Sequence, residues 1–192
     1  TGGTASDSFL LTVTAVNDLP TISDITDQTI NEDGTTGALA FTVGDVETAV
    51  GALTVSATSS NAALVPVGNI VFGGAGANRT VTVTPLGNQS GTSTITVTVN
   101  DGTGGTASDS FLLTVTAVND APTISDITDK ITDEDTPIGP IAFTVSDVDN
   151  PVTSLTVTAL SSNKTLVPDG NITLGGTDAN RTISITPAAN QF

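Results

Sequence analysis

The sequence predicts an all-β chain built from seven-stranded sandwiches in series. Three observations carry this expectation. Thr and Val alternate in many short stretches, the period-2 pattern of half-buried strands. The chain repeats itself without a gap at an offset of 102 residues. No helical periodicity of useful length interrupts either pattern.

Taken in order, the strand candidates of one repeat are 22–30, 38–43, 52–58, 69–72, "RTVTVTP" (79–85), "STITVTVND" (93–101) and "FLLTVTAV" (111–118). Turn residues separate them. Seven short strands in about 100 residues suggest an immunoglobulin-like sandwich. The alternation turns Val43, Val55, Val81, Val83, Ile95, Val97, Val99, Phe111, Leu113 and Val115 inward. Their Thr and Ser neighbours face water, which reconciles a positive mean hydropathy with a polar surface. Asp101-Gly102 reads as a hairpin turn, and "GGAGAN" (73–78) as a strand connection, since no Lys and no helix follows it.

The repeat sets the domain organisation. "TGGTASDSFLLTVTAVND" (1–18) recurs unchanged at 103–120, and "GNIVFGGAGANRTVTVTP" (68–85) answers to "GNITLGGTDANRTISITP" (170–187). A period near 100 exceeds the ~20–50 residues of a solenoid unit and matches an independently folding domain. The expected division is 1–17 as the last strand of a preceding repeat, 18–119 as a complete repeat, and 120–192 as a second repeat lacking its last two strands. On this reading the sequence is a segment of a longer array. The absent strands come from further chain, or from a neighbouring molecule.

Composition excludes most chemistry. The chain has no Cys, His, Trp, Tyr or Met. That removes imidazole acid–base catalysis, the usual nucleophile triads, and zinc, haem and iron–sulfur ligation. A two-carboxylate hydrolase stays formally open, yet six Phe are the only aromatics available to line a sugar cleft. An enzyme is not expected. The net charge of −16, with Lys130, Lys164, Arg79 and Arg181 as the only cations, disfavours nucleic acid and anionic membrane surfaces as partners. It favours divalent cations. No apolar run approaches 18 residues, so no membrane insertion is expected. Arg79 and Arg181 share one repeat position, and each is expected to pair with an Asp of its own repeat.

One repeat also carries a family resemblance. "INEDGTTGALAFTVGDVETA", starting at Ile30, resembles the opening of a cadherin repeat. There a Glu after the first strand precedes an Asp-x-Asp after the second. "TITVTVNDGTGGTASDSFLLTVTAVNDAP", ending at Pro122, resembles its close, where a last strand runs into an acidic linker and Pro. The unit is similar to the bacterial cadherin-like or Ig-like tandem repeats of very large secreted and cell-surface adhesin-type proteins. The resemblance implies an extracellular, bacterial cell-surface setting and Ca²⁺ between successive repeats. Matched residue by residue, it assigns the metal to Glu32, Asn119, Asp120, Asp147 and Asp149. Asn17, Asp18, Asp45, Glu47, Asp101 and Glu134 form the equivalent partial sites. The oxygen chemistry suits Ca²⁺, which takes about 6–8 such ligands.

Three departures from the cadherin pattern bear on this. Ala117 stands where the linker has its first Asp, Ala121 replaces the Asn after Asp120, and no Asp-Arg-Glu motif is found. A full three-ion cluster is therefore not expected. Asn119-Asp120 reads equally as a plain turn before Pro122 and as a turn that also ligates. "NEDG" (31–34) and "DEDT" (133–136) read first as polar hairpins, and the sequons at Asn78, Asn171 and Asn180 as chance matches in a Thr-rich chain.

The expected function is a structural extracellular repeat forming a stalk or filament of an adhesin-like protein, with neighbouring repeats of the same polypeptide as partners. Two alternatives belong to other classes. One is a module binding a cell-surface glycan or protein. The other is a self-assembling filament of like chains, in which strand 1–16 completes another molecule.

Overall fold

The Thr/Val alternation becomes strand wherever a partner strand is present to bond it. In the computed structural model, which describes residues 1–192, the chain divides into two units, Thr1–Val118 and Asn119–Phe192. The first contains β1 (Thr21–Ile22), β2 (Gln28–Asn31), β3 (Leu39–Gly44), β4 (Thr54–Ser59), β5 (Ile70–Ala75), β6 (Asn78–Val83), β7 (Gly91–Asn100) and β8 (Thr106–Thr116). They form two four-stranded sheets, ordered β1-β3-β6-β5 and β2-β8-β7-β4. This is an all-β Ig-like fold.

The first expected strand, 22–30, is not continuous. β1 pairs antiparallel with β3 in one sheet, whereas β2 pairs parallel with β8 in the other. The chain changes sheet between them. Two reciprocal carboxylate bonds hold the crossing: the Ile25 N–H donates to Asp109 Oδ2 at 2.8 Å, and the Leu112 N–H donates to Asp27 Oδ1 at 2.7 Å. Ile25, between the two strands, is buried in the core.

The inner faces of the sheets meet in one core. Val81, Val83, Ile95, Val97, Val99 and Leu113 are completely buried, and Phe111 is 1 % exposed. Each such side chain removed from water contributes about 1.5–3 kcal/mol before entropy is subtracted. Phe41 and Phe72 meet edge to face at a centroid distance of 6.5 Å. Of the ten expected inward residues only Val55 is not fully buried, because β4 is an edge strand; it packs on the core from the side. The longest ladder, β7 with β8, runs from Gly91↔Val115 to Asn100↔Thr106. It forms the spine of its sheet.

The second unit has a single sheet, ordered β9-β10-β12-β11, with β9 (Thr123–Ile124), β10 (Ile138–Ser146), β11 (Ile172–Thr177) and β12 (Asn180–Ile185). This reproduces the β1-β3-β6-β5 sheet. Residues 130–133 and 156–161, which align with β2 and β4, form no ladder. In the first unit those two strands are bonded only through β8 and β7, and 119–192 holds no counterpart of that pair. Ile183 and Ile185, the counterparts of Val81 and Val83, are consequently only half-buried.

The expected Arg–Asp pairs do not form. Arg79 instead donates through Nε to the Gly76 carbonyl at 2.8 Å and through an Nη to the Val50 carbonyl at 3.0 Å. Arg181 donates likewise to the Val152 and Leu155 carbonyls at 3.2 and 3.3 Å. A guanidinium with five forked donors satisfies several loop carbonyls at once, which a single carboxylate partner would not require. The one ion pair is Lys164–Asp169 at 2.6 Å, on the surface. No helix is long and apolar enough to cross a membrane.

Candidate functional site at the acidic poles

The eleven predicted ligand positions fall at the ends of the units. At the entering pole of the first unit, Asp101 closes β7 and its carboxylate folds back into the turn to β8. Oδ1 accepts the N–H groups of Thr103, Gly104 and Gly105 at 2.7, 3.0 and 2.9 Å. Oδ2 accepts the side-chain amide of Asn17 at 2.8 Å, and the Asn17 carbonyl oxygen accepts the Thr103 hydroxyl at 2.7 Å. Asp101 is only 4 % exposed. The Asn17 amide, opposed by burial and reinforced by Thr103 and Gly105, holds its carboxyl down at about 2. Both Asn17 side-chain ends and both Asp101 oxygens are thus already engaged. The pair works as a clasp on the entering chain.

Beside it, Asp45 Oδ1 accepts the N–H groups of Glu47 and Thr48 at 2.9 and 2.7 Å, an Asx turn that follows β3. Glu47 Oε2 in turn accepts the Asp18 N–H at 3.1 Å. Asp45 Oδ2 is buried and has no hydrogen-bond partner. A buried orphan oxygen of this kind calls for an explanation such as an ion or a water.

The entering pole of the second unit repeats the plan with different residues. Asp147 Oδ1 accepts the N–H groups of Asp149 and Asn150 at 2.9 and 2.8 Å. Those bonds, Asn150 first, pull its carboxyl below the ordinary range against a desolvation cost. Asp149 Oδ2 accepts the Asp120 N–H at 2.5 Å, as Glu47 does for Asp18. The Asn119 side chain differs from Asn17: it donates to the Asp120 carbonyl at 2.6 Å and accepts the Asn150 amide at 3.0 Å.

Glu32 lies at the opposite, departing pole of the first unit. The Glu32 N–H reaches the Thr116 carbonyl at 2.9 Å, and Oε1 accepts the Val118 N–H at 2.7 Å. The eleven-residue β8 separates this pole from Asn17, by roughly 33 Å at the rise of an extended strand. Glu134, its counterpart, is exposed. The structure therefore groups Asn17 with Asp101, Asp18 with Glu47 beside Asp45, and Asn119, Asp120, Asp147 and Asp149 around Asn150. Glu32, at the other end of β8 from Asn17, is bonded to Val118, the residue before Asn119. The donor set is all oxygen, as a hard cation requires, but no three acidic side chains converge closely enough to hold a metal ion.

Several working carboxylates escaped the sequence reading. Asp33 Oδ1 accepts the Asn88 N–H and Asp135 Oδ1 the Asn190 N–H, both at 2.9 Å, so "NEDG" and "DEDT" tie a distant loop. The crossing bonds of Asp27 and Asp109 are of the same kind. The available signal was recurrence: Asp27/Asp129, Asp33/Asp135 and Asn88/Asn190 all persist at the 102-residue offset.

Two facing antiparallel-rich sheets with turn-bound carboxylates at their ends define an Ig-like class of module. Residues 17–116 match the model of the bacterial Ig domain. The chain belongs to that family, whose members are typically extracellular or surface-exposed structural domains. No curated protein matches. Among solved structures, the titin domains Z1Z2 in complex with telethonin are 12 % identical, with a TM-score of 0.40 over 91 % of this chain and 84 % of that one. Extracellular cadherin domains 1–4 of protocadherin gamma B7 are 20 % identical, with a TM-score of 0.40 over 89 % of this chain and 41 % of that one. An endo-fucoidan hydrolase of glycoside hydrolase family 107 is 19 % identical, with a TM-score of 0.40 over 88 % of this chain and 24 % of that one.

Proposed function

We propose that the chain is a stretch of a bacterial surface stalk or filament of adhesin type, in which Ig-like repeats follow one another and Ca²⁺ stiffens their acidic poles. The observation that carries the array reading is the repeated tether at the entering pole. Asp18 N–H to Glu47 and Asp120 N–H to Asp149 are the same contact at the same repeat position, although the acid differs. A tether rebuilt with a changed residue points to a constraint on how each repeat receives the chain. A role in which any repeat serves equally also fits the unchanged 1–18 and 103–120.

Support for the ion comes from the buried, partnerless Asp45 Oδ2 and the surrounding oxygen donors. No three acids converge at either pole, so Asp45 with Glu47 at one, and Asp147 with Asp149 at the other, would supply carboxylate oxygens, with backbone and water oxygens completing the shell. Asn17 and Asp101, being committed to each other, serve the clasp. Glu32 would contribute only from the departing pole, where its Val118 bond already orients it. A ligand confined to the folded state stabilises by ~2.7 kcal/mol at 100-fold over Kd.

The test is calorimetry and small-angle scattering in millimolar Ca²⁺ against excess chelator, on the wild type and on Asp45→Asn with Asp147→Asn. Ca²⁺ should raise the wild-type transition and reduce the spread of particle lengths, with both effects lost in the double variant. Superimposable curves with and without Ca²⁺ in the wild type would remove the ion from the proposal.

A further inference from the structure

The chain enters the first unit beside Asp101 and leaves it beside Glu32, so tension along the polypeptide acts between opposite poles of that unit. β2 and β8 lie between those poles and run parallel. A pull on the entering chain draws β2 back toward the entering pole, and a pull on the departing chain draws β8 the other way. The two strands are therefore loaded in shear. Bonds that cross a sheared pair take the load together, whereas bonds at the open end of a hairpin break one after another.

The ladder itself is short. Backbone pairing covers only Gln28–Asn31 against Leu113–Thr116. Three carboxylates carry the link past both ends of it. On the entering side the Ile25 N–H donates to Asp109 Oδ2 at 2.8 Å and the Leu112 N–H to Asp27 Oδ1 at 2.7 Å. On the departing side the Val118 N–H donates to Glu32 Oε1 at 2.7 Å, and the Thr116 hydroxyl to Asn31 Oδ1 at 2.8 Å. The linked part of β8 and its exit thereby grows from 113–116 to 109–118. Each carboxylate bond is charge-assisted and about twice as strong as a neutral one. The three join residues 84, 85 and 86 positions apart, so none is a local turn contact.

We propose that the first unit is a load-bearing module whose resistance to stretching resides in a clamp of 25–32 against 109–118, with Asp27, Asp109 and Glu32 as its staples. Forced unfolding is governed by the barrier to unfolding and not by equilibrium stability. For a pull through residues 18 and 118 that barrier is rupture of the clamp. The Asn17–Asp101 and Asp18–Glu47 bonds and the two-residue pairing of β1 with β3 yield first, and only lengthen the tether. The inference goes beyond the stalk proposal and holds without it, since the clamp lies within one unit and needs no ion.

The experiment is single-molecule force spectroscopy of the 192-residue chain in excess chelator, which keeps the test separate from the ion at the poles. The chain has no cysteine, so paired Cys substitutions at exposed positions define where force is applied. Leu19→Cys with Ala121→Cys shears the clamp. Gln89→Cys with Ala121→Cys instead peels β8 from its departing end, beginning at Gly91↔Val115. The shear pull should need about twice the force of the peel or more, because its ladder bonds break together. Asp27→Ala with Asp109→Ala should lower the shear force by roughly a third, two of three charge-assisted bonds being gone. Asp27→Asn with Asp109→Asn should restore most of it, because the amide oxygen still accepts. Val97→Ala, a completely buried change in β7 outside the clamp, should lower the urea midpoint yet leave the shear force nearly unchanged. Equal forces in the two directions would overturn the proposal, and that comparison stands even where a staple variant fails to fold. So would a folded Ala pair with an unchanged shear force, or a Val97→Ala loss as large as the staple loss.

Discussion

Phe111 and Phe9 sit in the same eighteen-residue sequence, and replacing each with Ala separates what that sequence does from where it lies. Phe111 is 1 % exposed in the core of the first unit, opposite Ile95 of β7, and Phe9 is 90 % exposed. A buried Phe→Ala change costs about 3–5 kcal/mol, the transfer term plus the cavity left behind. For a domain of this size 1 kcal/mol moves the midpoint by ~4–8 °C, so Phe111→Ala should lower the transition of the first unit by on the order of 15–30 °C. Against a typical stability of about 5–15 kcal/mol, that brings the unit close to unfolding. Phe111→Leu, nearer in volume, should cost roughly 1–1.5 kcal/mol and still fold. Phe9→Ala should leave the same transition within ~0.5 kcal/mol. Calorimetry and far-ultraviolet circular dichroism in guanidinium at low micromolar concentration read all three. Comparable losses for Phe9→Ala and Phe111→Ala, or a Phe111→Ala loss below about 1 kcal/mol, would refute the assignment of 103–118 as the covered copy.

Three further outcomes follow from named contacts. The Asp101 carboxyl lies at about 2, below its ordinary 3.8, so its contribution is fully present above about pH 4 and disappears as pH falls through its folded value. Urea midpoints from pH 5 to 2 should show an acid limb that Asp101→Asn flattens, and Asn17→Ala should raise the Asp101 pKa in a carbon-detected titration. Arg79→Lys keeps the charge but not the fork that reaches Gly76 and Val50 together, and should cost about 1.5–3 kcal/mol in denaturant titration. A Cβ at Gly74, whose φ is +81°, would press into the Asn78 carbonyl and lie 2.8 Å from Arg79 Cα. Gly74→Ala should therefore destabilise by more than ~1 kcal/mol, while Gly68→Ala, with open space around it, should be nearly silent in the same melts.

Much of the fold was legible because alternation is a local property. Which face of β3, β6, β7 and β8 turns inward follows from every second residue, and nine of the ten expected inward residues are fully buried. Sheet membership was not legible. Nothing local says that 22–30 must break at 23–27 and join two sheets, since that depends on the bonds of Asp27 and Asp109 to residues some 85 positions away. The poles divide the same way. The acidic positions were visible as a spacing, but whether Asn17 turns outward to a ligand or inward to Asp101 depends on the hairpin that Asp101 closes. The Arg79 partner was misjudged for a related reason, because loop carbonyls leave no mark in a sequence.

By itself the sequence determined the all-β class, the 102-residue period and the identities of the core side chains, since each is a matter of composition and spacing. Tertiary structure decided which of two identical segments becomes a strand. Residues 103–118 have β7 on one edge, β2 on the other and a core beneath, and they form β8. Residues 1–16 have none of these and form no ladder. A strand's backbone groups and its alternate side chains are satisfied only by neighbours, so the pattern specifies a strand and the surroundings make one.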